Sequence, residues 1–112
     1  MAYVNLNPKE AETLVNQALD AQQHAFAPYS GYKVGAAVIS ETGKIYVGAN
    51  IENVIYRVTH AERMALDNMT FHGDRELMGI AVATKDGAYP CGQCLQDITE
   101  YDLNNEGIIE TV

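Results

Sequence analysis

The chain has 112 residues, of which 47% are hydrophobic, 8% aromatic and 20% charged; this length and balance suit a single domain with one core and exclude a disordered or collagen-like chain. Seven Lys and Arg against fifteen Asp and Glu give a formal charge of -8, which repels polyanions and argues against nucleic acid or an anionic membrane as a partner. No apolar run approaches the ~18 residues of a spanning helix, no basic-then-apolar leader opens the chain, and only two cysteines occur, so the expected location is the cytoplasm, with reduced thiols.

Asn7-Pro8-Lys9-Glu10 supplies a cap, a proline suited to the first helical position and a carboxylate three residues on, the pattern of a helix start. Ala11, Leu14, Val15, Ala18, Leu19 and Ala25 then recur as one stripe until Pro28, which predicts a first helix over about residues 8–26. Lys33 to Ser40, with Val34, Ala36 and Val38 on one face, and Lys44 to Ala49 are strand-like; the intervening Glu41-Thr42-Gly43 makes them a hairpin with a three-residue loop. A second helix is expected from Thr59 to Asn68 on the apolar stripe Ala61, Met64, Ala65 and Met69, ended by Phe71-His72-Gly73-Asp74. Met78 to Ala83 is nearly unbroken in its apolar character, as a strand covered on both faces would be.

Pro90 introduces a third helix with Cys91, Cys94, Leu95 and Ile98 on one side, and Ile108-Ile109 begins a last strand. The order α-β-β-α-β-α-β predicts an α/β fold with one mixed sheet flanked by helices. Helices two and three then start at the carboxyl edge of parallel strands, where such proteins usually bind their ligands. From Asp86 onward there are six acids and no Lys or Arg; a solvated face accounts for this more simply than an acidic docking surface.

The chemistry concentrates at those two helix starts. Cys91 and Cys94, spaced C-x-x-C on a helical turn, suit one tetrahedral metal, and His60 from the neighbouring helix supplies a third ligand. Three protein ligands and an open position are the arrangement of catalytic zinc, which lowers the pKa of water to roughly 7. Glu62, two residues beyond His60, is the carboxylate placed to move protons. It has a rival role as the carboxylate of a capping box begun three residues earlier at Thr59, and His60 in isolation would more often be an ordinary imidazole; the downstream cysteines favour the catalytic reading for both.

His60-Ala61-Glu62 followed by Pro90-Cys91-Gly92-Gln93-Cys94 is the signature of zinc-dependent nucleobase deaminases. Together with Ala27-Pro28-Tyr29-Ser30-Gly31-Tyr32-Lys33-Val34-Gly35-Ala36-Ala37 and Gly48-Ala49-Asn50-Ile51-Glu52-Asn53, it makes about residues 10 to 100 resemble the small cytidine deaminases. The resemblance implies a three-layer α/β/α fold, a Zn2+ cofactor and a homotetramer. It also implies hydrolysis of cytidine or deoxycytidine to the uridine product and ammonia in pyrimidine salvage. By the same resemblance Asn50 and Glu52 bind the ribose hydroxyls and the Ala61 amide holds the pyrimidine O2. Tyr32 stands near the substrate, and Arg63 tempers the charge of a zinc thiolate.

Several residues depart from the family's pattern. Short tetrameric members usually carry Cys where this chain has His60, the stretch from Asn53 to His60 is about a residue short with Arg57 in it, and Tyr89 and Leu95 flank the cysteines. The chain ends at Val112, where the family continues into a further strand, so the fold is expected to be truncated there. These departures keep open a related substrate, such as a blasticidin-type or N4-modified cytidine, and a non-catalytic zinc-binding relative. A redox role for the two cysteines would leave His60 and Glu62 without explanation.

Overall fold

The computed structural model describes residues 8–53, 58–85 and 108–111. Helix α1 (Pro8–Gln22) is followed by strands β1 (Gly35–Ser40), β2 (Ile45–Ala49), β3 (Ile51–Glu52) and β4 (Val58–Thr59), helix α2 (Ala61–Phe71), β5 (Leu77–Ala83) and β6 (Ile108–Thr111). The expected third helix, and with it Cys91 and Cys94, lies outside the described residues.

The main sheet runs β2-β1-β5-β6, and β3 and β4 form a separate two-stranded ribbon. β1 is antiparallel to both β2 and β5, whereas β5 and β6 are parallel, so the sheet is mixed as expected. α1 packs Leu14 and Ala18 against Ala37, Ile39, Ala81 and Ala83 on one face. α2 packs Ala61, Ala65, Leu66 and Met69 against Ala36, Val38, Tyr46, Ile80 and Val82 on the other. Alternate residues of β1 thus feed opposite cores, which is why all six are buried and why helix, sheet and helix form three layers.

Two glycines set the spacing between these layers. A Cβ on Gly35 would collide with the α1 backbone at Ala18 and Gln22, and one on Gly48 with the α2 backbone at Ala61 and Ala65. The hairpin closes as expected: Ser40 N–H donates to Lys44 O at 3.0 Å around Glu41-Thr42-Gly43, and Gly43 has φ 84, the left-handed residue such a loop requires.

Several element boundaries differ from expectation. The first helix ends at Gln22, not near residue 26, because Phe26 joins a parallel bridge to Ile51. Its N–H donates to Asn50 O and its carbonyl accepts from Glu52 N–H, each at 2.9 Å. Leu19, assigned to the buried stripe, is 41% exposed, and the third buried position is Ala21. The second helix starts at Ala61 rather than Thr59 and runs on to Phe71, since Thr59 pairs with Ile51 in the ribbon. Lys33 and Val34 precede β1 and belong to the loop that Asn50 holds.

Candidate active site

β2, β3, β4 and α2 converge at one end of the sheet. Ile51 pairs with Thr59 and Glu52 with Val58 in antiparallel register, so Asn50 comes level with His60, and residues 50–52 lie alongside the entry to α2. Gly48 lets the first turn of α2 rest directly on β2. The first intrahelical bond runs from Met64 N–H to His60 O at 3.0 Å; the amides of Ala61, Glu62 and Arg63 thus precede the helical ladder, at the positive end of the helix dipole.

His60 is the N-cap of α2, with extended backbone (φ -75, ψ 148) and no capping bond from its side chain. The cap is therefore neither Thr59 nor a capping box, and Glu62, the second helical residue, is not in the place such a box requires. Glu62 is only 4% exposed, and no hydrogen bond to its carboxylate occurs among the described residues. A buried carboxylate left in that condition is costly, which makes it the group at this end that fits a ligand or metal-activated water rather than the scaffold. An imidazole not spent on capping, two residues before such a carboxylate, fits zinc chemistry. Among the described residues no three His, Cys, Asp or Glu side chains form a metal-sized cluster, and the expected sulfur ligands Cys91 and Cys94 lie outside them.

The two side chains expected to meet ribose also hold the neighbouring loop. Asn50, 6% exposed, accepts Val34 N–H on Oδ1 at 2.9 Å and donates Nδ2 to Tyr32 O at 2.8 Å. Glu52, 8% exposed, accepts Tyr29 N–H and Ser30 N–H on Oε1, both at 3.0 Å, and the Ser30 hydroxyl on Oε2. The Ser30 hydroxyl, then its amide, together with the Tyr29 amide, hold the Glu52 carboxyl below its ordinary pKa against the effect of burial. One N–H of Asn50 and about one of the four acceptor positions of Glu52 are not used by these bonds. Asn50 and Glu52 can thus hold the loop and still bond a hydroxyl with the same side chains.

Tyr32 is half-buried, with Lys85 Nζ 5.5 Å from its ring centroid. Ala61 is fully buried. Arg63 Nε donates to Asp67 Oδ1 at 3.0 Å on the exposed side of α2.

Two sets of residues were not anticipated. Tyr29 and Ser30, inside the Pro28-to-Val34 loop, are the partners of Glu52; the Ser30-Gly31 dipeptide marks a turn but not what the turn would bind. At the other end of the sheet, Asp74 Oδ2 accepts the hydroxyls of Tyr46 at 2.7 Å and of Ser40 and Thr42 at 2.9 Å. No local pattern announces that convergence, because the donors lie 28 to 34 residues away.

Residues 8–107 match the model of the cytidine and deoxycytidylate deaminase zinc-binding region. The chain is 40% identical over 94 residues to a cytidine deaminase of Halalkalibacterium halodurans, covering 81% of this chain and 71% of that one. It is 39% identical over 100 residues to a probable cytidine deaminase of Dictyostelium discoideum, covering 86% and 68%. The crystal structure of cytidine deaminase from Mycobacterium tuberculosis superposes with a TM-score of 0.83 at 31% identity, covering 89% of this chain and 83% of that one.

A three-layer fold of this kind with a zinc-binding region defines a zinc-dependent hydrolase of the deaminase class, acting on a small molecule. The chain belongs to the cytidine and deoxycytidylate deaminase family, and its cofactor is Zn2+.

Proposed function

We propose that the protein deaminates cytidine and deoxycytidine to uridine and deoxyuridine, releasing ammonia. One observation carries this reading: Glu62 is buried directly beyond His60, with no hydrogen-bond partner among the described residues. His60, Cys91 and Cys94 would hold the metal, a set of one neutral imidazole and two thiolates that balances the charge of Zn2+. When bound, zinc supplies the Lewis acidity that makes water nucleophilic near neutral pH.

Glu62 takes the proton that water gives up as its oxygen adds to C4 of the pyrimidine, and delivers it to ring N3. It then takes the second proton, from the hydroxyl now on C4, and passes it to the exocyclic nitrogen; the C4–N bond breaks, the C4 carbonyl forms, and ammonia leaves. The Ala61 amide, at the positive end of α2, donates to the pyrimidine O2. Asn50 and Glu52 hold the sugar: the remaining N–H of one and the remaining acceptor position of the other suit a hydroxyl, which both accepts and donates. Tyr32 lines the substrate's approach, and Arg63, whose Nε bonds Asp67, would temper the charge of a zinc thiolate. The exposed Phe26 (57%), Tyr29 (62%) and Ile51 (37%) beside this end suit a subunit interface, which by the family resemblance we take as that of a homotetramer of single-domain chains, and we place it in the cytoplasm, in pyrimidine salvage.

The test measures zinc per chain and ammonia released from cytidine for wild type and Glu62→Ala. The variant is expected to keep its metal and lose activity; full activity in Glu62→Ala would remove this carboxylate from the mechanism. Sedimentation at four chain masses checks the assembly.

A further inference from the structure

We propose that Ser30 is a positioning residue for sugar recognition, acting through Glu52; the inference rests on the proposed role of Glu52 toward the ribose. The Ser30 hydroxyl accepts the Tyr32 N–H at 3.0 Å and donates to Glu52 Oε2. Because an amide can only donate, the single hydroxyl proton is left for the carboxylate, and the direction of both bonds is fixed by chemistry alone.

One atom therefore ties two residues of the sugar side together. Gly31, at φ 70, gives the turn its shape, and Gly31 N–H closes it onto Ala27 O at 2.9 Å. Oε1 of Glu52 is held by two amides, so without Ser30 the carboxylate would keep one anchored oxygen and lose the anchor on the other. Oε2 is the oxygen with an acceptor position left for a substrate hydroxyl. Fixing it before substrate arrives removes an ordering loss from binding. Ser30 itself need not touch the substrate.

The readout is the ratio of kcat/KM for cytidine to that for 2',3'-dideoxycytidine, which lacks the hydroxyls. Ser30→Ala in the zinc-loaded full chain is expected to lower this ratio about tenfold, mainly through KM for cytidine, the size expected for one lost charge-assisted hydrogen bond. Ser30→Thr, which keeps the hydroxyl, is expected to restore it. If Ser30→Ala slows both substrates equally while Glu52→Gln collapses the ratio, Ser30 is merely structural and the proposal is overturned. A ratio unmoved by Glu52→Gln would instead overturn the ribose reading beneath it. Ser30→Cys, a weaker donor of similar size, reads the same ratio should Ser30→Ala fail to fold.

Discussion

Glu62 and Asp74 flank the same helix, one in its first turn and one just past its last. Asp74 takes three hydroxyls on a single oxygen, whereas Glu62 is more deeply buried and meets no donor among the described residues. Glu52 also takes three donors, but spread over two oxygens, so that Oε2 keeps an acceptor position. We read the difference as one of role: Asp74, remote from the site, serves the scaffold, Glu52 serves both the loop and the proposed substrate, and Glu62, which meets no donor among the described residues, is placed for the proposed chemistry.

Glu62→Gln tests the extreme case. It is expected to lower kcat by about 10^3-fold, the scale of a lost general acid and base, while zinc per chain stays the same. The melting temperature should rise, because a neutral amide replaces a buried charge that no described group satisfies. A fall in melting temperature would show that the fold itself depends on Glu62.

Gly48→Ala ranks next. The new Cβ would strike the α2 backbone at Ala61 and Ala65, and backbone on both sides leaves little room to yield. A loss of about 3 kcal/mol in stability is expected, measurable by denaturant unfolding. The first turn of α2 carries both Glu62 and the Ala61 amide, so the folded fraction should also lose activity, by about 10^2-fold if that turn moves by an ångström. Wild-type kcat in the folded variant would show that the turn is not set by this contact.

Glu52→Gln is milder. An amide retains an acceptor but loses the charge that the Ser30 and Tyr29 donors stabilise, so KM for cytidine should rise about 10- to 30-fold with kcat nearly kept. In wild type this carboxylate stays ionised below the usual range. Substrate affinity should therefore hold through mildly acidic pH and fall only as Glu52 takes up its proton.

The layers and the start of α1 were legible from the sequence because they rest on local signals. Alternating small apolar residues mark β1, the Glu-Thr-Gly loop fixes the hairpin, and the Leu14–Ala18 and Ala65–Met69 spacings mark the buried helix faces. His60 and Glu62 stood out in the sequence because their spacing, with the cysteines downstream, has a chemical meaning. The β3–β4 ribbon was not: two-residue strands carry no periodicity, and Thr59 looks as much like a helix cap as a strand residue. That ambiguity also shifted the start of α2. Asn50 and Glu52 were singled out by the family resemblance as groups for a sugar, but their partners at 29–34 depend on a long-range approach that no local pattern encodes.

Asp74→Asn should have the smallest effect on turnover. The Tyr46 hydroxyl first, then those of Ser40 and Thr42, hold the Asp74 carboxyl below its ordinary pKa, with Lys44 adding its charge. The same bond raises the Tyr46 pKa. A carboxyl whose pKa is lower folded than unfolded stabilises the native state above its unfolded value, and that contribution disappears as pH falls through the folded value. The variant lacks this contribution at every pH. Its melting temperature should therefore lie several degrees below wild type at neutral pH, and the gap should close in acid. KM for cytidine should not change, because the hydroxyl cluster joins the β1–β2 turn to the chain leaving α2 at the end of the sheet remote from Asn50 and Glu52. A gap of constant size from neutral to acid pH would mean that Asp74 acts through shape alone, and the contrast with Glu62 would then rest on burial rather than on charge.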